Sequence, residues 1–290
     1  MLGKIASVAA IGAAGLGYAL WEAKQHTLRR VTVPVLPAGE APLRLLHISD
    51  LHLTPGRRST VEWVRGLAEL RPDLVIATGD FLAHPEAVPT VAEALDPLLG
   101  VPGAFVLGSN DYFAPRLSNP LLYFAGPSAV HPDRPELPWG DLVAELSGSW
   151  ANLSNAAASV AVGSRVVSLR GVDDPHIERD DYSAVAGPWA ADLRLGVLHA
   201  PYRRVLDAMT ADGADLVLAG HTHGGQLRVP GFGALVTNCD LDRRKARGLS
   251  MYEGSALHVS AGLGTSPYAP IRFACPPEAT LLTLAPSEAG

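Results

Sequence analysis

One stretch of the chain, residues 43–52, reads Leu-Arg-Leu-Leu-His-Ile-Ser-Asp-Leu-His. Its first six residues form a mostly apolar run suited to a buried strand, and Asp50 and His52 follow where that strand would end. Other apolar runs are followed by polar residues in the same way. These runs are residues 74–77, 104–107, 193–198 and 216–219. The repeated pattern predicts a set of buried strands whose ends carry reactive side chains.

Helical patterns separate several of these runs, at residues 61–70, 88–99 and 203–211. Strands that alternate with helices indicate βαβ units and a mainly parallel sheet. Residues 151–171 instead predict a hairpin, and residues 256–261 and 280–284 add further strands. We therefore predict an α/β fold in which two sheets pack together, with helices outside them, in one domain.

Composition narrows the choice of partners. The chain has 290 residues and a net charge of -6, which disfavours a nucleic-acid partner because such proteins usually carry a basic surface. Its two cysteines, Cys239 and Cys275, are too few for a zinc finger or a disulfide scaffold. The sequence leaves open whether they pair, and it leaves the oligomeric state undetermined.

The N-terminus contains an uncharged, mostly apolar run at residues 5–21, flanked by Lys4 and Lys24. Its length is marginal for a transmembrane helix. A cleaved secretory signal and a buried helix are the alternatives. We expect residues 1–30 to be an uncleaved membrane anchor or signal segment, residues 31–42 an extended connector, and the domain to occupy residues 31–290. Basic residues on both flanks leave the side of the membrane undetermined.

The polar residues at the predicted strand ends share one chemistry. In open α/β sheets, ligands bind outside the carboxyl ends of the strands. The candidate metal ligands at these ends are Asp50, His52, Asp80, Asn110, His199, His221 and His223. Such side chains favour Zn, Mn or Fe over Ca or Mg. They exceed the needs of one tetrahedral ion and favour two divalent ions that share a carboxylate, bind phosphate oxygens and activate a bridging water.

In this order the residues resemble the calcineurin-like metallophosphoesterase family, whose pattern is Asp-x-His, Gly-Asp, Gly-Asn-His-Asp/Glu, His and Gly-His-x-His. The matching segments here are Asp50-Leu-His52, Gly79-Asp80, Gly108-Ser-Asn-Asp111, His199 and Gly220-His-Thr-His223. Residues 262–265 and 270–273 resemble the membrane-associated bacterial branch. The resemblance implies a four-layer α/β/β/α sandwich of two mixed sheets, to which the apolar run at residues 5–21 adds an N-terminal helix.

The resemblance also implies roles for individual residues. One ion would be held by Asp50, His52 and His223. The other would be held by His199 and His221, and Asp80 would bridge the two. The residues with implied catalytic roles are Asp80, Asn110 and Asp111.

The segment Gly-Ser-Asn-Asp departs from the family pattern. Anchored on Asp111, the metal-binding Asn of the family falls on Ser109, and its catalytic His falls on Asn110. Either Asn110 binds the second ion through its amide oxygen, which we favour, or Ser109 is a weak ligand and Asn110 takes the place of the His. In both cases no imidazole remains here to protonate a leaving group, a function typically worth about 10²–10⁴-fold in rate. His84 and His176 are alternative sources of an imidazole.

These features together predict a metal-dependent phosphohydrolase, a phosphodiesterase or pyrophosphatase, with a metal-bridging hydroxide as nucleophile. The alternative is a metal-binding scaffold that has lost catalysis. The long segment 112–139 contains Phe113, Tyr123 and Phe124 and predicts an apolar lid. Such a lid favours a lipid-linked phosphate among the candidate substrates.

Overall fold

The computed structural model of the protein describes residues 2–117, 133–191 and 193–287. Tyr123 and Phe124 of the predicted lid lie outside these residues. The α-helices are α1 Leu2–Glu22, α2 Arg58–Gly66, α3 Val88–Leu95, α4 Ser109–Tyr112, α5 Trp139–Ser147 and α6 Arg203–Ala211. The strands are β1 Thr27–Leu36, β2 Leu43–Ile48, β3 Leu74–Thr78, β4 Gly103–Val106, β5 Ala151–Asn152, β6 Ala156–Val162, β7 Arg165–Gly171, β8 Leu193–Val197, β9 Leu216–Ala219, β10 Arg228–Val229, β11 Gly233–Ala234, β12 Gly248–Tyr252, β13 Ser255–Val259 and β14 Glu278–Pro286.

Two six-stranded mixed sheets form the centre of the fold. The first has the order β1-β14-β2-β3-β4-β5, in which only the β14–β2 pair is antiparallel. The second has the order β12-β13-β9-β8-β7-β6, with antiparallel pairs at its two edges. Helices α2, α3 and α5 cover the first sheet, and α6 covers the second. The predicted four-layer α/β/β/α sandwich is confirmed.

The apolar runs fill two layers at once because successive strand residues point to opposite faces. In β2, Leu46 and Ile48 pack towards the helices of the first sheet. Leu43 and Leu45 pack towards the second sheet instead. A strand buried on both faces reads as a continuous apolar run, which is why these strands were recognisable in the sequence.

The predicted connector over residues 31–42 is wrong in its first half. Thr27–Leu36 forms β1, which pairs in parallel with β14. Val33 and Leu36 of this strand are buried between the two sheets. Pro34 lacks a backbone N–H but is tolerated because β1 lies at the edge of its sheet. The predicted domain boundary at residues 30 and 31 falls inside this strand.

The predicted membrane anchor corresponds to α1. Among the residues that the structure describes, no helix combines the length and the apolar character that a bilayer crossing requires. The prediction that a single N-terminal helix spans the membrane and places the protein there is therefore wrong.

The last turn of α1 instead packs against the folded domain. Ala19 and Glu22 are buried. The backbone N–H of Arg272 donates to Ala19 O at 3.0 Å. The backbone N–H of Cys275 donates to Glu22 Oε2 at 3.2 Å. The end of α1 is thus tied to the segment that carries Arg272.

The cysteines, whose pairing the sequence left open, are both free and buried. Burial raises the pKa of the Cys239 thiol to about 11, so this thiol is protonated at neutral pH. Neither cysteine forms a disulfide in this structure.

Candidate metal centre

The predicted site residues meet at one rim of the sandwich, at the carboxyl ends of strands from both sheets. β2 is followed by Asp50 and His52, β3 by Asp80, β4 by Asn110 and Asp111 of α4, β8 by His199, and β9 by His221 and His223. All of these side chains except Asn110 and His223 are buried. Residues far apart in the chain are therefore gathered by sheet topology, as the sequence predicted.

Most of the candidate ligands have left-handed backbone conformations. They are Asp50 (φ 51°), His52 (φ 42°), Asp80 (φ 56°), His221 (φ 68°) and His223 (φ 48°). Each such residue costs on the order of 1–3 kcal/mol and persists only where its surroundings hold it. Backbone bonds supply part of that support: Asp50 N–H donates to Gly79 O at 2.9 Å and His52 N–H to Asp80 O at 3.0 Å. Strain concentrated in this way is typical of a functional site.

Two glycines allow the loops to approach this closely. A Cβ atom at Gly108 would overlap Asp80 Oδ1, and one at Gly220 would overlap Ser49 Oγ. The backbone φ of Gly108 is -119°, so any residue could adopt it. Space, and not backbone freedom, therefore requires glycine at position 108.

One group of potential ligands consists of Asp50, His52 and His223, whose ligand atoms lie within 4.8 Å of one another. His52 Nε2 and His223 Nε2 are 3.2 Å apart. His223 Nε2 lies 3.6 Å from Asp50 Oδ1. This is the set that the family resemblance assigned to one ion.

A second group, equally close, consists of Asp50, Asp80 and His199. His199 Nδ1 lies 2.6 Å from the carbonyl oxygen of Thr78, which only accepts, so Nδ1 carries the proton. In the neutral ring, His199 Nε2 presents a lone pair 3.4 Å from Asp80 Oδ2, and this buried atom has no hydrogen-bond partner among the described residues. Two buried electron-rich atoms this close require a cation between them, a proton or a metal ion, so these residues fit a metal ion.

His221 stands beside the second group. Its Nε2 lies 3.0 Å from the carbonyl oxygen of Asn238 and therefore donates to it, which leaves the lone pair on Nδ1. Its backbone N–H donates to the Asp50 carboxylate. Within the part of the chain that the structure describes, His221 belongs to neither close group.

The charges of the site depend on one another. Burial and the neighbouring Asp80 raise the pKa of Asp50 while His199 lowers it, and the net pKa is about 6. Burial also raises the pKa of Asp80, but His199 and His52 lower it more, and the net direction is well below the usual value. Burial lowers the pKa of His199, whereas Asp80 raises it more strongly, so the net shift is upward. Each shift reports a buried carboxylate that requires a positive neighbour.

Asp111 makes contacts that position the loop after β3. Its Oδ1 accepts from the backbone N–H groups of Phe81 and Leu82, at 2.7 and 3.0 Å. Its Oδ2 accepts from those of Asp80 and Gly108, at 2.8 and 2.9 Å. The carboxylate thus joins the loops that follow β3 and β4, and it acts on the site through Asp80.

Asn110 is fixed at both ends of its amide. Its Nδ2 donates to Asp80 Oδ2 at 2.8 Å, and its backbone N–H donates to Asp80 Oδ1 at 2.8 Å. Its Oδ1 accepts from Arg134 Nη2 at 3.0 Å. The amide oxygen that we favoured as a metal ligand is thus engaged by a guanidinium group, and its role as a ligand stays a prediction.

The sequence reasoning missed Arg272, which is fully buried. Its Nη2 donates to the carbonyl oxygens of Gly262 and Gly264 and lies 3.3 Å from His223 Nδ1. Arg272 lies within residues 270–273, which the sequence analysis used only to identify the resemblance to one branch of the family. The guanidinium group connects the loop after β13 to a candidate ligand.

The two alternative histidines lie in different surroundings. The ring of His176 is 4.7 Å from that of His221, centroid to centroid, and its Nδ1 lies 3.1 Å from Tyr202 Oη. His84 accepts at Nδ1 from the backbone N–H of Glu86, within its own loop. His176 is therefore the one next to the candidate ligands.

The sandwich fold and its rim of Asp and His residues define a metallophosphoesterase. The family described as "Calcineurin-like phosphoesterase" matches residues 43–225, more than half of the chain, and the chain belongs to this family. The predictions that the chain is a member of this family and an enzyme of the metallophosphoesterase type are confirmed. The family uses divalent metal ions.

Several named relatives are similar along most of their length. "Uncharacterized metallophosphoesterase YkuE" of Bacillus subtilis (strain 168) is 25% identical over 300 residues, 98% of this chain and 94% of the relative. "Phosphodiesterase YaeI" of Escherichia coli (strain K12) is 27% identical over 250 residues, 84% of this chain and 83% of the relative. "UDP-2,3-diacylglucosamine pyrophosphatase LpxG" of Chlamydia trachomatis is 27% identical over 278 residues, 83% of each chain.

Proposed function

We propose that the chain is a phosphodiesterase or pyrophosphatase that uses two divalent ions, drawn from Mn, Fe and Zn. The observation that carries this proposal is the buried His199 Nε2 atom, which lies 3.4 Å from Asp80 Oδ2 and has no hydrogen-bond partner among the described residues. When bound, a pair of divalent ions activates a shared water as nucleophile and neutralises phosphate charge. The names of two relatives, a phosphodiesterase and a pyrophosphatase, support these substrate classes.

We assign the ligands from the two close groups. Asp50, His52 and His223 hold one ion, and Asp80 and His199 hold the other. Two further residues complete the ligand set of the second ion. His221 would bind it through the lone pair on Nδ1. Asp50 would also bind it, because its carboxylate belongs to both close groups. The chain itself keeps these groups in place through the Asp111 carboxylate and the hydrogen bond from His199 to Thr78.

A lipid-linked phosphate is the more specific substrate that we propose. The printed name of the relative LpxG is that of an enzyme acting on a diacylated sugar nucleotide. An imidazole is absent from position 110, so a substrate whose leaving group departs as a stable anion suits this site best. A pyrophosphate linkage meets that requirement.

Hydrolysis of bis(p-nitrophenyl) phosphate by the full chain with added Mn²⁺ tests the function. We expect turnover that Asp80→Ala abolishes, together with a loss of bound metal measured by elemental analysis. Asp141→Ala, an exposed change on α5, is the matched control and should leave both unchanged. Metal binding without turnover, with Mn, Fe or Zn supplied in turn, would support the alternative of a scaffold that has lost catalysis.

A further inference from the structure

When the family motif is anchored on Asp111, position 110 carries an amide where the family pattern has its catalytic imidazole. An amide cannot supply a proton to a leaving group, and it carries no charge that would bind a phosphate. The structure nevertheless places a cation against this amide. Arg134 Nη2 donates to Asn110 Oδ1 at 3.0 Å, and Asn110 Nδ2 in turn donates to Asp80 Oδ2.

The guanidinium group of Arg134 is held by more than Asn110. Its Nη2 also donates to Phe113 O at 2.9 Å, and its Nε donates to Ala114 O at 2.8 Å. Its Cζ lies 5.8 Å from the centre of the Phe113 ring. Backbone carbonyls of the segment directly after α4 therefore fix the plane of the group.

These contacts leave the Nη1 side of the Arg134 guanidinium group available for another hydrogen-bond acceptor. Nε–H and both N–H bonds of Nη2 are used by Ala114, Phe113 and Asn110. For Nη1, the described residues provide no hydrogen-bond acceptor, and the side chain is only partly buried. A guanidinium group that is anchored on one side and available on the other is suited to a phosphate oxygen.

The positive charge of Arg134 affects the pKa values of groups in the candidate metal centre. Burial lowers the pKa of His176 to about 4, and the charges of His199 and Arg134 lower it as well. The ring of His176 lies against that of His221. The charge of Arg134 itself is favoured by Asp80, although burial opposes it. The hydrogen bonds through Asn110 place Arg134 next to Asp80, in agreement with these shifts.

We propose that Arg134 is a substrate-binding catalytic residue that contacts the phosphate and replaces the missing imidazole by charge instead of proton transfer. This inference rests on the proposed function. In the reaction, a water oxygen forms a bond to phosphorus as the bond to the leaving oxygen breaks, and the proton that the water loses passes to the solvent. The electron pair of that bond stays on the leaving oxygen, which departs as an anion while Arg134 keeps all its protons. Phosphoanhydrides and aryl esters fit this chemistry, whereas alkyl esters, whose leaving oxygens need a proton, do not.

Affinity for inorganic phosphate tests the proposal without relying on turnover. We would load the full chain with Mn²⁺, confirm its metal content, and titrate phosphate by isothermal calorimetry. Arg134→Gln should raise the Kd about 10- to 100-fold, since a charged hydrogen-bond donor is lost. Arg134→Lys should give an intermediate Kd because it keeps the charge but not the planar fork. Arg116→Gln is the matched control, an exposed cation in the same segment that pairs with Asp133, and should stay within about twofold.

Rates add a second readout. For diesters of p-nitrophenol and of phenol, kcat/KM of Arg134→Gln should fall about 10²–10³-fold, and more steeply for phenol, the poorer leaving group.

A Kd for Arg134→Gln equal to that of Arg116→Gln overturns the proposal. Should Arg134→Gln lose its Mn²⁺, the comparison of Arg134→Lys with the unchanged chain decides: weaker phosphate binding supports the proposal, and equal binding overturns it. Absence of hydrolysis by the unchanged chain would count against the proposed function alone, because the phosphate titration still tests Arg134.

Discussion

The residues of the site have two different roles. Some carry the candidate ligand atoms, and others position the loops on which those ligands lie. Asp50, Asp80 and His199 belong to the first kind, because their ligand atoms lie within 4.8 Å of one another. Asp111 belongs to the second kind, because its two oxygens accept four backbone N–H groups. Burial and the neighbouring Asp80 raise the pKa of Asp111 to about 7. A residue can therefore be part of the family motif without a ligand atom aimed at a metal.

The change Asp111→Asn tests this positioning role. An amide NH₂ would face the N–H groups of Asp80 and Gly108, leaving buried donors unpaired. We expect the free energy of unfolding to fall by about 2–4 kcal/mol, as measured by urea denaturation at pH 8, where the Asp111 carboxyl group is ionised. Asp141→Asn on the exposed face of α5 should cost less than about 1 kcal/mol. Equal losses in the two variants would contradict the role assigned to Asp111.

At the scale of elements, a chain of buried hydrogen bonds joins the two sheets to the rim. His258 of β13 and His47 of β2 meet at 2.8 Å through their Nδ1 atoms. His47 Nε2 lies 2.9 Å from Thr78 Oγ1, which donates to Ser49 Oγ, and Ser49 Oγ donates to Asp50 Oδ2 at 2.5 Å. Because Thr78 donates onwards, it accepts from His47, and His258 must donate to His47. The two sheets are thus connected by neutral histidines in a single tautomeric arrangement.

These two histidines predict how stability varies with pH. Burial lowers the pKa of His258 to about 4 and that of His47 well below its usual value. The folded chain therefore binds fewer protons than the unfolded chain below pH 6.5, so stability is complete above pH 6.5 and is lost as the pH falls towards 4. The slope contributed by His258 is about 1.4 kcal/mol per pH unit, and His258→Gln should remove it.

Urea denaturation between pH 7.5 and 4.5 would measure this effect. We expect the stability curve of the unchanged chain to fall more steeply with acid than that of His258→Gln. His84→Gln, in a loop away from the sheets, serves as the control and should follow the unchanged chain. Parallel curves for the unchanged chain and His258→Gln would rule out a neutral, buried His258.

At the scale of the whole molecule, the N-terminal segment is part of the sandwich. Strand β1 pairs with β14 from Thr27 onwards. Arg29 of β1 lies 3.1 Å from Glu278, whose side chain is almost fully buried. A chain that begins at the predicted boundary would therefore lose the first pairs of this strand and a partner of a buried carboxylate.

Two shortened chains test where the domain begins. A chain of residues 25–290 keeps β1 and should unfold in one cooperative transition. A chain of residues 31–290 should be less stable by about 2–4 kcal/mol, because it loses backbone pairs and leaves Glu278 without Arg29. Thermal unfolding followed by circular dichroism compares them, with Arg29→Gln in the full chain isolating the ion-pair contribution. Equal stability of the two shortened chains would place the start of the domain after residue 30, as the sequence predicted.

The sequence by itself determined the buried strands, the α/β class and the Asp and His residues that follow those strands. It could do so because strands buried on both faces leave continuous apolar runs, and because ligand-bearing turns stand directly after them in the chain. Only the tertiary structure decided that β1 joins a sheet, that the end of α1 packs on the domain, and that Arg134 reaches Asn110. Those facts depend on contacts between residues distant in the chain, and neither hydrophobic periodicity nor a motif specifies which distant partner a residue meets.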